Sequence, residues 1–274
     1  MRPRGPGLLL AALLAAALPL AGCAQSVDPL ERLGKKAAEG VRPHGPTAQP
    51  PYRRWGLAAP LAPAPRPSAH PPTTGTAGPG LPPVVSRVRT RDRVVFLTYD
   101  DGAEKDPRFV DMVRELRLPV SMFLTDSVVG PGYGHFVRLQ SVGATIQNHT
   151  LDHPAMRGLP YAGQRAEICG QQDKLRTRFG HRPHLFRPPY GTYDTTTRHA
   201  AADCGITALI LWQATTDPNG TLTYTQPPTH LSPGDIISLP SAETSPMTLR
   251  ERTTKTLRAA QAQGLTVASL ENYV

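Results

Sequence analysis

Three short stretches carry side chains able to do chemistry. The first is Thr98-Tyr99-Asp100-Asp101-Gly102, two acids side by side before a glycine. Adjacent carboxylates repel unless a cation or an arginine lies close; the alternative is a solvated Asp-Gly turn. The second is Asn148-His149-Thr150-Leu151-Asp152-His153-Pro154. Histidines at this spacing can face one metal ion from a single helical turn. With Asp101 they offer two imidazoles and a carboxylate, a catalytic type of ligand set that leaves positions open for water. The third is Phe186-Arg187-Pro188-Pro189-Tyr190-Gly191. Its proline pair stiffens the backbone and would fix where Arg187 and the Tyr190 N–H point. In isolation it reads equally as a proline-rich loop with a surface arginine.

All three follow segments that read as strands. Val94 to Tyr99 is a β-branched and aromatic run, and Val120–Leu124, Ala144–Asn148 and Leu185–Arg187 follow it. Ala208–Trp212, Ile236–Leu239 and Thr266–Leu270 complete the strand series. Helical spacing is read at Phe109–Leu116, Ala162–Phe179, Tyr193–Cys204 and Leu249–Gln263. Alternating strands and helices imply a parallel sheet or barrel, whose chemistry lies at the carboxyl ends of the strands.

Together, in this order, the three motifs closely resemble the polysaccharide deacetylase family, carbohydrate esterase family 4, also called the NodB homology domain. The resemblance covers roughly Arg93 to Val274, essentially the whole of the folded domain, which is read from the chain as residues 87–274. It implies an α/β fold, a distorted (β/α) barrel, and removal of N- or O-acetyl groups from chitin-like glycans, peptidoglycan or xylan. By the resemblance Asp100 is the general base, and Asp101, His149 and His153 bind a divalent metal, usually Zn2+. Arg187 pairs with Asp100, and the Tyr190 N–H helps stabilise the oxyanion. Trp212, Asp217 and Leu239 fall where the family's substrate groove is expected.

The later motifs depart from the pattern. Leu211-Trp212-Gln213-Ala214-Thr215-Thr216-Asp217 runs into Pro218 where a second Trp is usual, and the Asp217 spacing is short. Gly234-Asp235-Ile236-Ile237-Ser238-Leu239 ends in Pro240, where the family has the His that protonates the leaving amine. General acid catalysis contributes roughly 10²–10⁴-fold, and an amine leaves poorly without it. Three readings follow: a deacetylase whose Asp100 shuttles the proton, an O-acetyl esterase, or a metal- and glycan-binding protein without turnover. His230 is the nearest substitute in sequence but precedes the strand. A surface adhesion or wall-sensing protein is the reading from another class.

The 274 residues carry a net charge of +9, which suits anionic glycans, phosphate-rich wall polymers or membrane surfaces, or simply a solvated surface. Of the chain, 39% is apolar, diluted by 31 prolines concentrated toward the N-terminus. A basic start, Met1-Arg2-Pro3-Arg4, precedes an apolar run from Leu8 to Leu20. That run is too short to span a bilayer and reads as a signal peptide, residues 1–22. Leu20-Ala21-Gly22-Cys23 resembles the bacterial lipobox, which implies lipidation of Cys23 and anchoring at the outer face of the membrane. Export argues against nucleic acid as a partner; the family resemblance implies an acetylated polysaccharide substrate, the lipobox implies the membrane, and the protein is expected to be a monomer. Residues 23–86 read as a disordered Pro/Ala/Gly-rich spacer with a short helix near Leu30–Glu39. In an oxidising compartment Cys169 and Cys204 read as a disulfide, the alternative being two small buried side chains.

Overall fold

The computed structural model describes residues 49–66 and 80–274. The signal peptide, Cys23, the Leu30–Glu39 helix and most of the spacer lie outside the described residues.

Among the described residues ten strands form the sheet: β1 (Val84–Val85), β2 (Val94–Asp101), β3 (Val120–Leu124), β4 (Thr145–Asn148), β5 (Leu185–Phe186), β6 (Ala208–Ile210), β7 (Ala214–Thr216), β8 (Leu222–Tyr224), β9 (Ile236–Leu239) and β10 (Thr266–Val267). Their order is β1-β6-β5-β4-β3-β2-β9-β7-β8, with β10 pairing β2. Every pairing is parallel except the β7–β8 hairpin. This is the expected distorted (β/α) barrel, curled and left open between β1 and β8. Among the described residues the helices are α1 (Pro51–Arg54), α2 (Pro107–Leu116), α3 (Asp126–Val129), α4 (Tyr133–Ser141), α5 (Tyr161–Phe179), α6 (Thr195–Asp203) and α7 (Leu249–Ala262).

Helix limits follow local chemistry. Asp106 caps α2 by accepting from the Arg108 N–H at 2.9 Å, and Pro107 presets the first turn. Reciprocal capping boxes start α6 (Asp194 with Thr197) and α7 (Thr248 with Glu251). Gly180 ends α5 in the left-handed conformation.

Strand alternation divides the core into two faces. Val95, Leu97 and Tyr99 pack toward the helices with Phe109, Phe136 and Leu257. Val94 and Phe96 point to the concave side with Phe123, Ile210 and Ile236. Asp100 continues the second series, so its carboxylate enters the concave mouth of the sheet. The register Thr98↔Ser238 and Tyr99↔Leu239 gives β9 the same division.

The spacer boundary needs correction. Residues 49–66, assigned to the spacer by composition, pack on the domain: Trp55 and Leu57 are buried in the helix-facing core. The Trp55 indole N–H donates to Glu115 at 2.8 Å, and Arg258 and Thr254 of α7 donate to the carbonyls of Gly56 and Trp55. Two buried apolar side chains contribute roughly 1.5–3 kcal/mol each, enough to hold a proline-rich segment in place. β1 also lies inside the assigned spacer and forms the edge of the sheet against β6. Composition missed both because single apolar residues in proline-rich sequence carry no period. Three further elements were not expected: the short α3; α4, whose Gly130-Pro131-Gly132 entry masks the buried Tyr133, Phe136 and Leu139; and the β7–β8 hairpin across Asn219-Gly220.

Candidate metal centre

Two strand ends bring three ligand atoms together. Asp101 closes β2, and His149 and His153 follow β4. The Nε2 atoms of His149 and His153 lie 3.3 and 3.1 Å from the Asp101 Oδ1. All three ligand atoms fall within 4.8 Å of one another. A tetrahedral ion with bonds of about 2.1 Å separates its ligands by ~3.4 Å, close to both nitrogen–oxygen distances here. Asp101 Oδ1 is buried and receives no hydrogen bond of good geometry from any described residue, so it is a desolvated acceptor aimed at the gap between the rings. Burial alone would raise the Asp101 carboxyl, but the facing imidazoles outweigh it and hold it well below the ordinary carboxylate range. The donor set and the orphaned oxygen both fit a divalent cation.

The histidines do not share a helical turn. The stretch is a loop in which Thr150 (φ 74°) and His153 (φ 59°) take left-handed backbone, and that reversal turns both rings to one point. Local bonds hold the loop against α5. Asn148 accepts from the Thr150 N–H at 2.9 Å and donates to the Ile168 carbonyl at 2.9 Å. The Glu167 carboxylate accepts from the N–H groups of Leu151 and Asp152, both at 3.0 Å. His149 Nδ1 lies 2.7 Å from the Arg187 carbonyl, an acceptor that fixes the proton on Nδ1 and leaves Nε2 free to bind a metal. His153 Nδ1 lies 3.3 Å from the Tyr190 hydroxyl, whose ring meets His153 edge to face at 4.7 Å. Gly102 ends the acidic motif at φ +89°, and a Cβ there would lie 2.8 Å from Val129. Only glycine fits that turn.

Asp100 stands beside this centre with a different set of partners. Its Oδ1 accepts from Arg187 at 2.6 Å and its Oδ2 from the Ser238 hydroxyl at 2.6 Å. Arg187 is fully buried, and its remaining donors reach the carbonyls of Ile210 and Leu211. Phe123 and Trp212 flank the guanidinium at 4.4 and 5.5 Å from their ring centroids. Each of the three guanidinium nitrogens therefore has an acceptor, which makes burial of this ion pair tolerable. Tyr190 is 66% exposed at the rim, with left-handed backbone at φ 58°.

The structure thus gathers Asp100, Asp101, His149, His153, Arg187, Tyr190 and Trp212. It does not gather two of the groove residues. Leu239 is 1% exposed and packs in the helix-facing core, because strand alternation gives the mouth of the sheet to Ser238 instead. The Asp217 carboxylate accepts from the Thr221 N–H at 2.7 Å and closes the β7–β8 turn. Cys169 of α5 and Cys204 after α6 form a disulfide, Cα–Cα 5.0 Å. Ser238, Ser241 and Glu167 escaped sequence reasoning. Only the register of β2 against β9 reveals Ser238, and only the docking of α5 reveals Glu167.

Comparison with known proteins adds the lineage. The family model described as polysaccharide deacetylase matches residues 87–209. An uncharacterized protein of Streptomyces coelicolor is 52% identical over 100% of this chain and 98% of its own length. Chitin deacetylase 1 of Cryptococcus neoformans is 31% identical over 57% of this chain; the matched region is 33% of that longer protein. A CE4 family pseudoenzyme of Bacillus anthracis superposes with a TM-score of 0.59 at 17% identity, over 70% of this chain and 69% of its own. At that identity the likeness is one of fold.

Proposed function

Because the chain belongs to the polysaccharide deacetylase family, we propose that it is a metal-dependent hydrolase removing acetyl groups from a cell-wall or extracellular polysaccharide. One observation carries this reading: Asp101, His149 and His153 converge on one point beside a buried, arginine-paired Asp100. Asp101, His149 and His153 would hold a zinc ion, which when bound polarises a carbonyl and lowers the pKa of water to about 7. The chain's own residues do the rest. Asp100 takes the proton of the attacking water at its carboxylate. Arg187 holds that carboxylate in place through their ion pair at 2.6 Å. The Tyr190 N–H donates to the oxygen that gains charge.

Pro240 favours a second reading. Its carbonyl accepts from the buried Arg252 at 2.7 Å, and its ring has no proton to give an amine. A metal- and glycan-binding surface protein without turnover fits that feature. Acetate release separates the two readings. The zinc-loaded protein is assayed on N-acetylated chitooligosaccharides, peptidoglycan and O-acetylated xylan, with chelation and Asp100→Asn as controls. Turnover lost in both controls supports the hydrolase. Release from esters alone identifies an O-acetyl esterase, and Pro240→His should then extend activity to amides. No acetate from any glycan leaves the binding reading.

Export and lipidation at Cys23 belong to the same proposal. The lipobox-like Leu20–Cys23 and the Cys169–Cys204 disulfide, expected of an oxidising compartment, support it. Among the described residues no helix is long and apolar enough to cross a membrane. Labelling with a fatty-acid probe should mark the chain and fail on Cys23→Ser.

A further inference from the structure

Asp100 is held on three sides. Its carboxylate accepts from Arg187 at one oxygen and from Ser238 at the other, both at 2.6 Å. Its backbone carbonyl accepts from the Ser241 hydroxyl at 2.9 Å, and that hydroxyl accepts from the Ala103 N–H at 3.3 Å. The two serines flank Leu239-Pro240, the segment from which a leaving-group acid would be expected. Register explains the placement of Ser238. It pairs with Thr98 and shares the concave face with Asp100, while Leu239 turns to the opposite core. Among the described residues Ser238 is the sole hydrogen-bond donor to Oδ2.

An ionised carboxylate offers about four acceptor sites. One short, charge-assisted bond on each oxygen stops rotation of the carboxylate plane. Each oxygen then keeps a lone pair in a fixed direction. Removing the Ser238 hydroxyl would leave Oδ2 buried without a donor and free the plane to turn. We propose that Ser238 is a positioning residue for the proton-accepting carboxylate: its hydroxyl acts through Asp100 and not on the substrate or the metal. The inference rests on the hydrolase reading. It also gives the Pro240 segment a role, since Arg252 pins the Pro240 carbonyl and so fixes the serines on either side.

The test uses the full chain loaded with zinc. Ser238→Ala should lower kcat for acetate release at least tenfold, with KM within twofold. Ser238→Thr, which keeps the hydroxyl, should recover most of the rate. Zinc affinity by calorimetry should stay within twofold, because Asp101, His149 and His153 are untouched. Whatever residual acetate release Asp100→Asn retains should change less than twofold when Ser238→Ala is added. An unchanged kcat in Ser238→Ala overturns the proposal, and so does a raised KM at normal kcat, which would place the hydroxyl on substrate. If the unaltered protein releases no acetate from any glycan, the hydrolase reading falls by itself. Crystal structures then decide on Ser238: a turned Asp100 carboxylate in Ser238→Ala supports it, and an unmoved one overturns it.

Discussion

Replacing both Cys169 and Cys204 by serine should cost the domain about 4 kcal/mol. The bridge closes a loop of 35 residues, and the loop-closure relation gives ~12.7 cal/mol/K, or about 3.8 kcal/mol at room temperature. A domain of roughly 200 residues shifts its Tm by about 2–4 °C per kcal/mol. The expected fall is therefore about 8–15 °C. It should be read by thermal unfolding at fixed zinc concentration, beside the oxidised parent chain and the same chain under reductant. Reduction and the double substitution should agree, because both release the same loop. The effect should reach the metal centre. Cys169 follows Glu167 and Ile168 in α5, and these two hold the histidine loop through the Leu151 and Asp152 N–H groups and Asn148. Zinc affinity should fall together with Tm. A Tm change under 2 °C, with the bridge confirmed intact in the parent by mass, would refute the reasoning.

His135 is buried, its ring nitrogens have no partner among the described residues, and burial, aided by the positive charges of Arg138 and Lys105, pushes it down to about 4. The unfolded chain takes its proton first, at the ordinary value of about 6.5. Stability from this group is therefore complete above that value and is lost as pH falls toward 4; denaturant titrations should show this slope, flattened in His135→Leu. Gly234 has φ +89°, and a Cβ there would lie 1.9 Å from the Val88 carbonyl oxygen. Gly234→Ala should lower stability by more than about 1 kcal/mol in urea unfolding, and an unchanged midpoint would count against the geometry. Asp101→Ala removes the shared carboxylate and should weaken zinc binding at least 100-fold by calorimetry, with little change in Tm of the metal-free protein.

The chemistry was more legible in the sequence than its support. Asp100, Asp101, His149, His153 and Arg187 stand at strand ends, where runs such as Val94–Tyr99 announce a buried strand and the polar residues interrupt it. Their convergence follows from the parallel order of β2, β3, β4 and β5. The histidine spacing suggested a helical turn, but left-handed backbone at Thr150 and His153 produces the same convergence through a loop. Such backbone leaves little trace in residue type. Leu239 and Asp217 were misplaced for a related reason: alternation fixes which residues share a face, and only strand register fixes which face meets the site. Ser238 looks like an ordinary polar residue in an apolar strand until Thr98 is set opposite it.

The docked stretch of residues 49–66 has a practical consequence for anyone expressing the protein. A recombinant chain cut at residue 87, where the family match starts, would lose the edge strand β1 and strip the cover from the seat of Trp55 and Leu57. Glu115 would lose both its indole and its Arg54 partner. Bare apolar surface of that kind invites self-association. Starting at Gln49 keeps the cover, and residues that compositional reasoning would discard then count as part of what must fold together.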